Sequence, residues 1–405
     1  MIFVNRYYAP DQSATARVLA SLATVLAERG YAVTVLTSDQ RYQDSDARLT
    51  RRETLDGVEV RRLGTLRFGR TRLLGRLLDY LSFVLGACGW LLVNVRPREL
   101  VVCKTDPPML SAFLWPAVRL RRARLLNWLQ DLFPEVAQEL GLLGPLPAAL
   151  ARFLRNQGLR RARNNVVISR AMAARVSALG LAPERQRLIE NASEPTPSAA
   201  PAAIEQWRTK HGVADRFVVM YSGNLGRAHP DDMLADMLIQ LADQAAVQVL
   251  MIGGGVGMTR LADRCRHLKH VTFLPYQPSE TLPVSLAAAD AHLVALRPSL
   301  EGLILPSKFY AVACIGRPVL YLGSADAEVA RVVVKARIGA SADSARVAAA
   351  TLSAWSTDPA GCQAMGERAA RLGCRQFTHT WFMARWIALL EENGLRPTAA
   401  GRGVQ

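Results

Sequence analysis

Residues 1–37, MIFVNRYYAPDQSATARVLASLATVLAERGYAVTVLT, decide the fold class. Met1–Asn5 is a short apolar run that predicts a buried strand, and Ala32–Thr37 predicts a second one. Between them, apolar residues recur with the period of a helix that ends at Gly30; these are Val18, Leu19, Leu22, Val25 and Leu26. Strand, helix and strand in this order predict a βαβ unit, which begins a parallel sheet.

The same alternation continues along the chain. Further strands are predicted in the first half at Val58–Leu63, Glu99–Lys104, Leu125–Leu129 and Asn165–Ile168. The segment Asn191–Ala203 has three prolines and few apolar residues, which predicts a linker. Strands separated by helices then resume at Phe217–Tyr221, Val247–Ile252, Val271–Phe273, Ala291–Ala295 and Val319–Leu322.

We therefore expect an α/β protein with two doubly wound, Rossmann-like domains that face each other across a cleft. The first domain covers residues 1–190, the linker 191–206 and the second domain 207–375. Residues 376–405 contain a helix that we expect to pack back on the first domain. Because parallel sheets bind ligands beyond the carboxyl ends of their strands, the functional site should lie there.

The charge of the chain is strongly positive and uneven. The 405 residues include 50 Lys+Arg and 34 Asp+Glu, a net charge of +16, and residues 51–124 alone hold 15 basic and 6 acidic residues. Such an excess is typical of proteins that bind nucleic acid or anionic lipid. The arginines alternate with Leu and Phe and lack an aromatic stacking platform, so nucleic acid is not an expected partner.

The segment 67–76 predicts contact with an anionic membrane surface. Arginines interleaved with apolar side chains suit a segment lying among lipid headgroups; the expected contact residues are Arg67, Phe68, Arg70, Arg72, Leu73 and Arg76. The apolar run that follows, Tyr80–Val95, has 16 residues, which is short of the roughly 20 of a spanning helix. A buried helix on the flank of the sheet is the alternative interpretation of this run.

The N-terminus and the cysteines indicate the compartment. Because the predicted strand begins at Met1, we expect no signal peptide and a peripheral protein at the cytoplasmic face of the inner membrane. The six cysteines show no paired spacing, so we expect free thiols and no metal site; they are Cys88, Cys103, Cys265, Cys314, Cys362 and Cys374.

Two glycine-rich turns in the second half are candidate ligand sites. Ser222–Pro230 reads SGNLGRAHP, and its glycines with the following helix suit a phosphate, whereas a tight turn with a surface arginine is the alternative. His229 could be a base or a helix-cap partner. Ile252–Gly257 reads IGGGVG, which lacks the G-x-G-x-x-G frame and so does not predict NAD; it suits close approach to a base or ribose.

Lys308 is the strongest single candidate for anion binding. Pro306 and Ser307 predict the start of a helix, as an N1 proline and a cap, and Gly316 predicts its end. The chain has only five lysines, and this one opposes the dipole at the first turn of the predicted helix. We therefore expect it to meet an anionic ligand, with a solvated lysine as the alternative.

These motifs together resemble GT-B glycosyltransferases of family 4. The matching stretches of the second half are SGNLGRAH (222–229), the GGG turn with VTFLPYQPSETLPVSLAAADAHLVAL (271–296), and EGLILPSKFYAVACIGRPVL (301–320). In the first half, residues 5–38, the Asp106-Pro107-Pro108 turn, NWLQDLFPE and VVISRAMAARV are similar to the acceptor domain of bacterial surface-polysaccharide members, of the colanic-acid and O-antigen fucosyl- or N-acetylfucosaminyl-type. The resemblance covers nearly the whole chain.

The resemblance implies transfer of a sugar from a nucleotide-diphosphate sugar to a lipid-linked, undecaprenyl-diphosphate-type glycan, with retention and without a metal or a tightly bound cofactor. UDP-sugar is the foremost expected donor, with GDP- and dTDP-sugars as alternatives. Arg227 and Lys308 would hold the diphosphate, Glu301 would contact the sugar, and Asp131 would position the acceptor unless it caps a helix. The other expected donor-site residues are Gly223, Asn224, Gly226, Gly253, Gly254, Gly255, Leu305, Pro306 and Ser307.

Two departures from the family pattern keep other functions open. The family's second glutamate falls on Ala311 when counted from Gly316, and Phe309 stands eight residues after Glu301. The glycine-rich acceptor loop is replaced by Ala9–Thr15. One alternative is a sugar-nucleotide epimerase of the same architecture, and another is a non-catalytic protein that binds a membrane surface.

Overall fold

The computed structural model describes residues 1–11, 13–41, 48–68, 73–193, 199–278 and 280–397, without the side chains of Ala14 and Leu73. The chain divides into two compact units. The N-terminal unit comprises Met1–Ile189 and Met383–Gln405, and the C-terminal unit comprises Glu190–Phe382.

The N-terminal unit is built on an eight-stranded sheet with the order β3-β4-β2-β1-β5-β6-β7-β8. Every strand pair is parallel except β3 with β4. The strands are β1 (Ile2–Val4), β2 (Thr34–Ser38), β3 (Arg52–Leu55), β4 (Val58–Leu63), β5 (Leu100–Cys103), β6 (Arg124–Trp128), β7 (Asn164–Val167) and β8 (Gln186–Leu188). The direction of chain progress reverses at β1, so the loops after β1 and β5 lie at the topological switch point.

Helices cover both faces of this sheet. They are α1 (Ala14–Glu28), α2 (Leu73–Asn94), α3 (Leu110–Leu120), α4 (Glu135–Glu139), α5 (Pro145–Arg161), α6 (Arg170–Ala178) and, from the C-terminus, α15 (His379–Glu392). Right-handed crossovers place α2, α3 and α5 on the face opposite α1. Trp386 of α15 lies against Trp128 and Phe3, with ring centroids 4.6 and 6.4 Å apart. The C-terminal segment therefore completes the core of the N-terminal unit.

The C-terminal unit has a six-stranded parallel sheet with the order β11-β10-β9-β12-β13-β14. The strands are β9 (Phe217–Asn224), β10 (Val247–Gly254), β11 (Val271–Leu274), β12 (Ala291–Ala295), β13 (Val319–Leu322) and β14 (Gly339–Ala342). The helices are α7 (Pro201–Lys210), α8 (Asp231–Gln240), α9 (Val256–Cys265), α10 (Leu282–Ala287), α11 (Lys308–Ile315), α12 (Glu328–Lys335), α13 (Ala345–Ser356) and α14 (Pro359–Gln376). Here the switch point lies between β9 and β12.

Several elements differ from the sequence-based expectation. The edge strands β3 and β8 are polar and lack the apolar runs that predict strands, although the Asp56-Gly57 turn between β3 and β4 has the positive φ values of a hairpin turn. The linker prediction is wrong for residues 201–206, because Pro201 starts α7 and Trp207 of that helix is buried. At the other boundary, Phe377 packs on Phe309 within the C-terminal unit rather than in the C-terminal segment.

Candidate functional site

The two glycine-rich turns lie side by side at the carboxyl edge of the C-terminal sheet. Residues 222–224 continue strand β9 rather than forming a loop, and Gly223 pairs with Gly253 of β10. Gly253 has a φ of 127°, and a Cβ there would overlap the carbonyl oxygen of Gly223. A Cβ at Gly255 would lie 2.7 Å from the carbonyl oxygen of Leu225. Close packing of the two turns thus explains these two glycines without a ligand.

Lys308 projects from the start of α11 onto the glycine-rich turn of β9. Its Nζ atom lies 3.5 Å from the ring centroid of Tyr221, and a Cβ added at Gly223 would lie 3.8 Å from it. This ammonium is buried and has no hydrogen-bond partner among the described residues. Burial holds the pKa of Lys308 well below its ordinary value. A desolvated cation in contact with only an aromatic face favours an anion as its counterpart.

The two arginines near this lysine differ in their contacts. Arg227 is exposed and forms no ion pair with the residues that the structure describes. Arg297, by contrast, donates to Asp231 Oδ1 at 3.0 Å and to the carbonyl oxygen of His229 at 3.1 Å. Arg227 is therefore free to meet a ligand, whereas Arg297 fixes the loop that carries it. The sequence analysis did not identify Arg297 or Tyr221, because neither stands in a glycine-rich turn.

His229 anchors the same loop to strand β12. Its Nδ1 atom lies 2.8 Å from the carbonyl oxygen of Ala295. Burial, followed by the charge of Lys308, lowers the pKa of His229 to about 4, so the ring is neutral at pH 7. The sequence left open whether His229 is a base or a helix-capping residue. In the structure it has another role, because it links the turn after β9 to strand β12.

Glu301 lies beyond β12 and contacts the loop after β13. Its Oε1 atom accepts a hydrogen bond from the backbone N–H of Ser324 at 3.2 Å. Tyr321 lies beside it, and burial together with the Glu301 charge raises the pKa of that phenol. The carboxylate is therefore held in place by the chain that follows the adjacent strand.

The start of α11 differs from the predicted capping. The helix begins at Lys308, Ser307 is its N-cap residue in a helical conformation, and the serine side chain makes no capping hydrogen bond. Pro306 and Leu305 both lie before the helix. The prediction of a proline at its first position and of a capping hydrogen bond from the serine is therefore wrong. Tight hydrogen bonds from Phe309 N to Pro306 O and from Tyr310 N to Ser307 O form this turn instead. Gly316 ends the helix with a φ of 78°, as predicted.

The positions of the missing second glutamate face the protein interior. Phe309 is buried against Phe377, with ring centroids 5.5 Å apart. Ala311 packs on the hydrophobic cluster that includes Trp207 and Leu286. A carboxylate at either position would require a different packing of α11, so this chain presents Lys308 and Glu301 without a second acidic residue on that helix.

Asp131 follows β6 at the carboxyl edge of the N-terminal sheet. Its Oδ1 atom is buried and has no hydrogen-bond partner in the described part of the chain. Burial raises the pKa of Asp131 to about 7, against a hydrogen bond with Thr105 that lowers it, and the Asp106 carboxylate raises it further. The alternative of a helix cap does not hold, because α4 begins at Glu135 with Pro134 as its N-cap residue.

Lys104 is a buried cation of the N-terminal unit that the sequence analysis did not select. Its Nζ atom donates to the carbonyl oxygen of Thr15 at 2.9 Å and lies 3.9 Å from the ring centroid of Trp128. Burial lowers the pKa of Lys104 to about 7, and Asp106 partly opposes this. The signal available in the sequence was a rare lysine at the end of a buried strand. Lys104, Thr105 and Asp131 line one small cavity.

The expected membrane segment is only partly described. Arg70 and Arg72 lie outside the described residues, and only the backbone of Leu73 is described. Arg67 is half-buried and forms an ion pair with Asp39 at 2.9 Å, whereas Phe68 is 57% exposed. Arg76 is half-buried, with its Nε atom buried. The described arginines of this segment therefore point partly into the protein.

The helix after this segment is longer than the apolar run predicts. Within the described part of the chain, Leu74–Asn94 is one helix whose 21 residues are long and apolar enough to cross a membrane by length and composition. Length therefore does not exclude a membrane-spanning helix here. The buried inner side of this helix also agrees with the alternative of a helix that flanks the sheet. No group of three His, Cys, Asp or Glu residues that could hold a metal occurs among the described residues, and the cysteines are free thiols.

Known proteins resemble both units of the chain. Residues 13–192 match the family model described as a glycosyl transferase 4-like domain. The colanic acid biosynthesis glycosyl transferase WcaI of Escherichia coli (strain K12) is 26% identical over 328 residues, which are 76% of this chain and 79% of that protein.

Solved structures match over nearly the full length. Anabaena HepE in complex with UDP has a TM-score of 0.69 at 17% identity, covering 96% of this chain and 99% of that one. Sucrose-phosphate synthase from Thermosynechococcus elongatus has a TM-score of 0.75 at 16% identity, covering 97% and 98%. The chain therefore has the GT-B fold, with two parallel-sheet domains. The family match covers only the N-terminal part of the chain.

Proposed function

We propose that this protein is a glycosyltransferase that moves a sugar from a nucleotide-diphosphate sugar, foremost a UDP-sugar, to a lipid-linked glycan during synthesis of a bacterial surface polysaccharide. The observation that carries the proposal is the buried ammonium of Lys308 at the glycine-rich turn of the C-terminal unit, which has no hydrogen-bond acceptor among the residues that the structure describes. Crystal structures of HepE, which shares the fold, contain UDP in one case and UDP-glucose in another.

The donor diphosphate would bind between Lys308 and the turn that carries Arg227. Gly223, Asn224 and Gly226 would bring backbone to the phosphates, and the free N–H groups at the start of α11 add a partial positive charge. When the bond from the sugar to the diphosphate breaks, negative charge develops on the leaving phosphate. Fixed cations in a site that needs no reorganisation stabilise this charge, which is usually the largest part of the rate enhancement.

Glu301 would contact the hydroxyl groups of the donor sugar. Its fixed position beside Ser324 and Tyr321 supports this role, because a held carboxylate selects one hydroxyl geometry. Leu305, Pro306 and Ser307 would line the sugar and diphosphate, and Gly254 would lie near the nucleoside. We propose retention of configuration without a metal, so that the two cations do the work a metal ion does in other transferases.

The acceptor would bind at the N-terminal unit, with Asp131 positioning its hydroxyl group. The unpartnered Oδ1 of Asp131 supports this role, since a buried oxygen of this kind gains a hydrogen bond from an incoming hydroxyl. A lipid-linked acceptor and a peripheral position at the cytoplasmic face of the inner membrane are supported by the similarity to WcaI, a protein named for colanic acid biosynthesis.

The test is a screen of the purified protein against UDP-, GDP- and dTDP-sugars, with binding measured by calorimetry and nucleotide release measured with and without membrane lipid extract. We expect one nucleotide to bind, and release to rise when the acceptor is present. Binding without any release, or conversion of the sugar nucleotide into an isomer, would refute sugar transfer and favour the binding-protein or epimerase alternative.

A further inference from the structure

Helix α2 is apolar on both of its sides. Its inner residues pack with β1 and β5 in the core; they include Phe83, Ala87 and Leu91. Its outer side carries large apolar side chains at intervals of three or four residues that are 38–76% exposed: Leu74, Leu77, Leu78, Leu81, Leu85, Leu92 and Val93. An ordinary surface helix is polar on its outer side, so this one is shaped to be covered by an apolar medium.

The neighbouring helices extend the same surface. Helix α3 contacts both α2 and α5, and all three lie on one face of the sheet. Phe113 and Leu120 of α3 are 44% and 73% exposed. On α5, exposed apolar residues follow the helical period and reach 83% exposure; they are Leu146, Leu150 and Phe153. We call the exposed apolar residues of α2, α3 and α5 the apolar layer.

Arginines gather where these three helices end. Residues 95–98, 119–124 and 160–163 contain no acidic residue, and their exposed arginines are Arg96, Arg98, Arg119, Arg122, Arg160, Arg161 and Arg163. The ends of α2 and α3 adjoin, because the backbone N–H of Arg98 donates to the carbonyl oxygen of Arg122 at 2.9 Å, and after α5 the backbone N–H of Arg163 donates to the carbonyl oxygen of Leu125 at 2.8 Å. The apolar layer is thus bordered on one side by a strongly positive edge.

We propose that the apolar layer and its arginine edge dock the N-terminal unit onto an anionic lipid bilayer. The apolar side chains enter the outer part of the acyl region while the guanidinium groups pair with headgroup phosphates. Helix α2 lies along the surface and does not cross it, because its inner side belongs to the core of the sheet. A second copy of this face would bring edges of like charge near each other, which disfavours a self-contact.

This inference rests on the proposed function, since it names the surface by which the enzyme reaches a lipid-linked acceptor. It also relocates the membrane contact. The sequence analysis placed it on residues 67–76, where the described arginines are partly buried, whereas the exposed arginines lie at the ends of α2, α3 and α5. Phe68 remains part of the contact because it is exposed.

The test is sedimentation of the full chain with vesicles of phosphatidylglycerol and phosphatidylethanolamine, and with vesicles of phosphatidylcholine alone. The variants are L146Q/L150Q/F153Q on α5, L81Q/L85Q on α2 and R119Q/R122Q/R160Q at the edge. We expect each apolar variant to bind the anionic vesicles about tenfold more weakly, and the arginine variant to lose its preference for them. The matched control I239Q/V334Q, at exposed apolar residues of the C-terminal unit, should bind as the wild type does.

UDP affinity and circular dichroism of every variant separate loss of docking from loss of fold. Unchanged vesicle binding in both apolar variants would overturn the inference. So would a dimer of the wild type that dissociates in these variants while neither form binds vesicles, because a second copy would then cover the layer. Resistance of the bound wild type to alkaline extraction would replace docking by a spanning helix. If vesicle binding follows the prediction but no nucleotide binds, the proposed function fails and the docking surface stands.

Discussion

Each unit of the molecule buries the ammonium group of one lysine against an aromatic ring near the carboxyl edge of its sheet, and the two lysines differ in their hydrogen-bond acceptors. Lys104 lies over Trp128 and donates to the carbonyl oxygen of Thr15. Lys308 lies over Tyr221 and has no acceptor among the described residues. Burial lowers the pKa of both side chains. A buried cation with an internal acceptor stabilises the fold, whereas one without an acceptor suits an external anion.

Replacing Lys308 gives the largest expected effect. K308M removes the cation at the developing phosphate charge, and we expect the rate of sugar transfer to fall about 100- to 1,000-fold. The free energy of unfolding should not decrease, because the variant no longer buries an unpaired ammonium. Nucleotide release and urea unfolding measure the two quantities. If K308M has near-normal turnover, or is clearly less stable than the wild type, then Lys308 has a structural role like that of Lys104.

Replacing Lys104 should show the opposite pattern. K104M leaves the carbonyl oxygen of Thr15 without this donor and removes the contact with Trp128, so we expect a loss of about 1–3 kcal/mol in the free energy of unfolding. UDP affinity, measured by calorimetry, should remain that of the wild type because the lysine lies in the other unit. A stable K104M protein with weakened UDP binding would contradict the division of roles between the two lysines.

The sequence predicted the strands that have a clear apolar pattern. Strands β4, β12 and β13 have the predicted bounds, because β12 and β13 are fully buried runs and β4 alternates between buried and half-buried residues. Polar or short strands such as β3, β8 and β14 gave no such signal, since they are held by pairing at a sheet edge rather than by apolar burial.

The candidate site was predictable only where a residue type is rare or a glycine is required. Lys308 stood out by both its rarity and its position, but Lys104 did not, because its contacts with Thr15 and Trp128 join residues far apart in sequence. The predicted cap by Ser307 failed for a related reason. Its conformation is set by the tight turn from Pro306 to Tyr310, which local propensity does not determine.

Arg227 sharpens the comparison within one site, because it is exposed whereas Lys308 is buried. We expect R227Q to lower the rate of transfer about tenfold, less than K308M, since water and salt screen an exposed charge. The difference in rate between R227Q and the wild type should be smaller at high salt, because salt screens the Arg227 charge of the wild type. Transfer rates at about 0.05 and 0.5 M salt test this, because the screening length falls about threefold over that range. An R227Q defect that is larger than that of K308M, and independent of salt, would place Arg227 rather than Lys308 at the leaving phosphate.

The pH dependence of stability tests the protonation state of Lys104. Burial lowers the pKa of Lys104 from its ordinary value of 10.5 to about 7, so between these values the unfolded chain binds a proton that the folded chain does not. This residue therefore makes stability rise as pH increases from about 7 toward 10.5, with a slope of about 1.4 kcal/mol per pH unit within that window. The slope should be absent in K104M, because methionine does not titrate. Urea unfolding of both proteins at pH 7, 8 and 9, roughly the lower part of the window, measures the difference. The same pH dependence in both proteins would contradict the prediction. It would mean that Lys104 stays protonated in the folded protein and donates to Thr15 as a charged ammonium.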